Sequence, residues 1–152
     1  MKKILIIVII AIGLFLGGIW WSNSIERNDP DIISRKGLHW HPKLFIYVNG
    51  EIEMIPGNIG IGESYAGLPS YDPAMRMTGI HTHDDANQGI IHFEFQGVVE
   101  RKDLTLGQFL KVWGKDINSF GSNVRMTVNG KESTEYESYF MQDGDKIELR
   151  YE

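Results

Sequence analysis

Thr105-Leu106-Gly107-Gln108-Phe109-Leu110-Lys111-Val112-Trp113-Gly114 is the stretch on which the fold turns. A Thr followed three residues later by Gln is a capping pattern: side chains satisfy backbone donors that a first helical turn leaves open. Leu106, Phe109, Leu110 and Trp113 fall at i, i+3, i+4 and i+7, a single apolar stripe of helical period. Gly114 follows, the residue best able to take the left-handed conformation that closes a helix. A helix over residues 105–113 is therefore expected, with strand patterns on both sides of it.

Downstream, Val124, Met126 and Val128 alternate, Asn129-Gly130 is a favoured two-residue hairpin turn, and Asp143-Gly144-Asp145 makes a further turn. Ile147, Leu149 and Tyr151 then alternate with Glu148, Arg150 and Glu152 as a closing strand. Upstream, Ile91, Phe93 and Phe95 take one face of a strand at 90–95, and His92 and Glu94 the other. Gln96-Gly97 turns the chain and 98–101 returns it. Residues 38–48 also alternate, with Leu38, Trp40, Leu44, Ile46 and Val48 on the core face. Pro42 suits an edge or a strand start. Asn49-Gly50 is a hairpin turn, 51–55 the return strand, and Pro56-Gly57 its end. Residues 58–78 are rich in glycine, carry Pro69 and Pro73, and show no sustained period, which predicts a long ordered loop. The class is α+β: a mostly antiparallel β domain with one packed helix.

Residues 90–152 run hairpin, helix, strand, turn, strand. With Thr105-Leu106-Gly107-Gln108-Phe109-Leu110, Thr127-Val128-Asn129-Gly130-Lys131 and Gln142-Asp143-Gly144-Asp145-Lys146-Ile147-Glu148-Leu149, this part resembles the β-grasp fold in its small sulfur-carrier-like branch. Sulfur carriers end in Gly-Gly, whereas this chain ends Arg150-Tyr151-Glu152, so the resemblance implies a fold and no carrier chemistry. The whole pattern, His-Trp-His-Pro, Tyr-Val-Asn-Gly, Ile-His-Thr-His-Asp and Ile-Ile-His-Phe-Glu before the helix, also resembles a group of uncharacterised membrane-anchored microbial proteins with His-x-His motifs. That likeness implies a location and no activity.

Before these elements, Met1-Lys2-Lys3 leads into Ile4 to Trp21, eighteen residues without a charge. As helix they rise about 27 Å, close to the apolar thickness of a bilayer. Lysines precede the run and Trp20-Trp21 close it at the interfacial position such rings favour. The rival is a cleaved signal peptide, but the run is longer than a usual signal core and lacks a small-x-small cleavage site. The expected plan is a transmembrane anchor over 1–22, a polar linker over 23–37, and an extracytoplasmic β-rich domain over 38–152, with the N-terminus cytoplasmic. Without Lys2 and Lys3 the formal net charge is −7, and no basic run follows, which speaks against a nucleic-acid partner. The absence of cysteine removes disulfides, thiolate ligands and a Cys nucleophile.

All five histidines are grouped: His39 and His41, His81 and His83, and His92 alone. In a strand, residues i and i+2 share a face about 7 Å apart. Each His-x-His pair thus offers two imidazoles from one rigid element, and imidazole is the commonest metal-binding side chain. His81, His83 and His92 are the first candidates, His39 and His41 the next. Asp84, Asp85 and Glu94 suit either direct ligation or holding the far ring nitrogen. Copper and zinc both accept such a set, and Met75 or Met77 would suit reduced copper. Histidines on strand faces and at turns also occur with no metal role. The expectation is a membrane-anchored protein binding copper or zinc, with the membrane and the ion as its partners. A metalloenzyme with Glu94 as acid/base, and a metal-free interaction module, are the alternatives.

Overall fold

A computed structural model describes residues 2–27 and 29–152. The chain divides into two units, 1–31 and 32–152. The first holds helix α1, Lys2–Arg27. Its apolar span Lys2–Ser24 has a mean hydropathy of 2.7, and no part of its apolar window is buried. A helix so long and apolar serves a membrane span or a signal sequence alike.

The second unit is α+β. Its main sheet has five strands in the order β11-β10-β12-β3-β4: Lys131–Ser133, Val124–Val128, Lys146–Tyr151, Lys43–Val48 and Glu51–Glu53. All neighbours are antiparallel except β12 and β3, which run parallel at the centre. Period-two alternation puts Ile147 opposite Leu44 and Leu149 opposite Ile46, and all four are buried. At both predicted Asn-Gly turns, Asn49-Gly50 and Asn129-Gly130, both residues have positive φ, as a tight hairpin of this hand requires.

The predicted helix is α2, Leu106–Trp113. Thr105 lies outside it as the cap, its side chain accepting from the Gln108 N–H, and Gly114 closes it in the left-handed region. Leu106, Phe109, Leu110 and Val112 are buried in the core that also takes the sheet residues. A run of rings, Phe109 to Trp113 to Phe120 to Tyr151, joins the helix to the end of β12 at centroid spacings of 5.5 to 5.9 Å.

A second sheet carries the histidines. Its order is β2-β8-β7, from Leu38–Trp40, His92–Phe95 and Ile80–His81. Two short ribbons complete the unit: β1 (Ile32–Ser34) with β9 (Val99–Glu100), and β5 (Tyr71–Asp72) with β6 (Met77–Thr78).

Several expectations need correction. The polar stretch 23–37 is not all linker, since α1 runs on to Arg27 and β1 pairs with β9. Residues 38–48 form two strands in two sheets, because Pro42 has no N–H to continue the ladder. Residues 98–101 do not return along β8; β9 joins β1 instead. Hence the hairpin expected at 90–101 beside the helix is absent from the five-stranded sheet, where β3 and β4 stand beside β12. The loop over 58–78 contains a 3-10 turn, Glu63–Tyr65, and the β5–β6 ribbon.

Candidate metal centre

The three-stranded sheet explains how distant histidines meet. On one face, Phe93 of β8 lies opposite Trp40 of β2 and Ile80 of β7. Phe93 and Ile80 are fully buried there. On the other face, Glu94 lies opposite His39, and His92 opposite His81. Continued by one residue past Trp40, the β2 register brings His41 opposite His92 as well. The row is thus His41, His92, His81 across three strands. The ring centroids agree: 4.8 Å from His41 to His92, and 5.6 Å from His92 to His81 with the rings stacked at 14°.

The outer members join this row. His39 and His41 approach Nε2 to Nε2 at 3.1 Å. That matches the roughly 3.3 Å between two nitrogens on one tetrahedral zinc with bonds of about 2.0 Å. His83 lies just before the 3-10 turn Asp84–Gln88, its ring 4.8 Å from His81 and 4.7 Å from His92. Among the described residues the histidines form two groups that can hold a metal ion, His39 with His41 and His92, and His81 with His83 and His92. In each group the candidate ligand atoms lie within 4.8 Å of one another.

The supporting contacts favour neutral rings with a set orientation. His81 is fully buried, and its Nδ1 lies 3.0 Å from the Thr78 carbonyl. That carbonyl can only accept, so Nδ1 carries the proton and Nε2 the lone pair. Nε2 is buried and has no hydrogen-bond partner; the nearest carboxylate oxygen, Glu94 Oε2, stands 3.9 Å away. A buried, unpartnered acceptor is costly and calls for a ligand. Burial holds the His81 pKa down to about 4, against the opposing pull of the Thr78 hydrogen bond. Burial, then the His92 and His39 rings, also lower that of His41. Neutral imidazole is the form that ligates.

His92 Nε2 sits 3.1 Å from each Asp85 oxygen, the carboxylate–histidine contact that commonly fixes a ligating ring. Asp84 and Asp85, which would point apart in an extended chain, lie in the 3-10 turn, and Asp85 faces His92. The His41 backbone N–H donates to Asp143 at 2.8 Å, so the 143–145 turn, 102 residues away, holds the end of β2. The sequence carries no signal for that contact, nor for the Thr78 carbonyl. Thr82, between His81 and His83, is buried; its hydroxyl donates to the Pro56 carbonyl and accepts from the Ile59 N–H. It fixes the chain behind the histidines. Met75 is engaged elsewhere, its sulfur accepting from the Gln96 amide at 3.2 Å.

Glu94 also lines a cleft of about 300 Å³ with Tyr71, Gly79, Phe95, Asp103 and Gln108 among its walls. Compared with protein-family models, with curated proteins and with solved structures, the chain has no match.

Proposed function

We propose that this protein is a membrane-anchored, extracytoplasmic protein that binds a transition-metal ion, copper or zinc, through His81, His83 and His92, with His39 and His41 beside them. The observation that carries this reading is His81. Its far nitrogen is spoken for by the Thr78 carbonyl, while its near nitrogen is a buried lone pair without a protein partner, beside two further imidazoles. A ring fixed in that way is the arrangement expected of a metal ligand. The apolar helix α1 supports the membrane part, and the lysines at its N-terminal end support an outward-facing second unit. The β-grasp relation of residues 90–152 belongs to the same proposal, supported by the succession of α2, the β10–β11 hairpin and β12.

The test uses the full chain in detergent micelles, exposed to Zn²⁺ or Cu²⁺ and freed of excess by gel filtration. The expected result is retained metal, lost when His81, His83 and His92 are all replaced by Ala. A wild-type chain that retains neither ion contradicts the proposal.

A second reading, a metal-dependent hydrolytic enzyme, draws on one observation: Glu94 borders both the histidines and the adjoining cleft. A carboxylate so placed can move a proton for a metal-bound water. Zinc-dependent hydrolysis of p-nitrophenyl acetate that falls at least tenfold in Glu94→Gln, with zinc content unchanged, would favour it. No zinc-dependent hydrolysis would leave binding as the function.

A further inference from the structure

We infer that the five histidines hold one ion in two alternative positions, an outer one at His39, His41 and His92 and an inner one at His81, His83 and His92. The inference rests on the metal-binding reading above and goes beyond it in stoichiometry and in the path of the ion.

Both groups contain His92. A neutral imidazole has one lone-pair nitrogen, so it can serve one ion at a time. Two ions could share it only after loss of its remaining proton. The Asp85 carboxylate, 3.1 Å from Nε2 through both oxygens, stabilises the N–H form and opposes that loss. Two adjacent cations would also repel each other across one ring. The two groups therefore compete for His92.

They differ in access. His39 is exposed, while His81 is fully buried. Between them the rings form an unbroken series, His39 to His41 at 4.7 Å, His41 to His92 at 4.8 Å and His92 to His83 at 4.7 Å. An ion arriving from solvent meets the outer pair first. It keeps His92 while exchanging His39 and His41 for His83 and His81, so it never returns to full hydration. The inner position, with a buried ligand, is the resting place, and the outer position is the route in and out. This suits exchange of the ion with a small chelator or with another protein's ligands.

The experiment counts Cu²⁺ ions per full chain at saturation in detergent for three proteins: wild type, His39→Ala/His41→Ala and His81→Ala/His83→Ala. Circular dichroism confirms that each is folded, and neither double variant touches His92. The expected counts are one, one and one. Removal of the ion by excess EDTA should be at least tenfold slower in His39→Ala/His41→Ala than in wild type, and at least tenfold faster in His81→Ala/His83→Ala. Counts of two, one and one would mean independent sites and overturn the inference. Counts of one, one and zero would mean a single inner site and also overturn it. Unchanged EDTA kinetics in His39→Ala/His41→Ala would remove the outer position from the path and overturn it too. A wild-type count of zero would instead remove the metal-binding reading itself.

Discussion

His92 stands at the middle of the histidine row, is common to both groups, and is in contact with Asp85. Replacing Asp85 by Asn keeps the size of the side chain and removes the charge that steadies the ring. Loss of such a supporting carboxylate typically weakens metal binding by about 10 to 100-fold. We expect Asp85→Asn to bind Zn²⁺ weaker by that factor in a competition titration, with the fold intact by circular dichroism. Tyr151 gives a test remote from the histidines. It is buried, its hydroxyl donates to the Ile117 carbonyl at 2.7 Å, and burial holds its pKa up to about 12. The unfolded phenol loses its proton near pH 10. Between those values the folded chain keeps a proton that the unfolded chain has lost. The stabilisation is thus present in full below pH 10 and falls as pH rises toward 12, by about 2 to 3 kcal/mol. Urea midpoints measured from pH 9 to 11.5 should fall less steeply in Tyr151→Phe than in wild type. At this scale the sequence was informative where spacing alone decides. His92 and Glu94 share a face because both stand in β8, whereas His41 and His83 lie just past the ends of β2 and β7, so strand alternation alone does not place them beside His39 and His81. Asp85 was harder to interpret, because its direction depends on a 3-10 turn that an extended reading of Asp84-Asp85 does not contain.

Alternation names the buried face of a strand but not its neighbour. That limit explains the pattern of agreement among the elements. The helix Leu106–Trp113 and both Asn-Gly hairpins are local features, set by a cap, a stripe and a turn, and all three stand where expected. The partners of β8, β9 and β3 are non-local. β8 lies between β2 and β7, β3 lies beside β12, and the hairpin expected at 90–101 does not form. The turn before β12 links the two sheets. Asp145 is buried and accepts from the Tyr139 hydroxyl, the Gln142 N–H and the Asn129 amide at 2.7 to 2.8 Å, while its carbonyl accepts from the Lys43 N–H. Burial, then the Asp145 contact, pushes the Tyr139 phenol well above its ordinary value. Asp145→Ala removes the buried acceptor that those three donors share at a partly exposed turn. We expect a loss on the order of 3 kcal/mol in urea unfolding. Metal affinity should weaken too, since the neighbouring Asp143 holds the His41 backbone. A stable Asp145→Ala protein would show that the turn does not brace this corner.

For the molecule as a whole, an apolar helix precedes a separate α+β unit of negative net charge that carries every histidine. If α1 is an anchor, the full chain stays with the membrane pellet after high-salt and alkaline carbonate washes, and a chain lacking residues 2–24 does not. Release of the full chain by carbonate, or its recovery with the N-terminal segment removed, would identify a signal sequence instead. The histidine site is tested most directly by the zinc K-edge X-ray absorption spectrum of the full chain, loaded with Zn²⁺ in detergent and freed of excess metal. The expected coordination is dominated by imidazole nitrogens, three of them at about 2.0 to 2.1 Å. A shell of oxygen ligands without imidazole scattering, or no zinc left to measure, would contradict it.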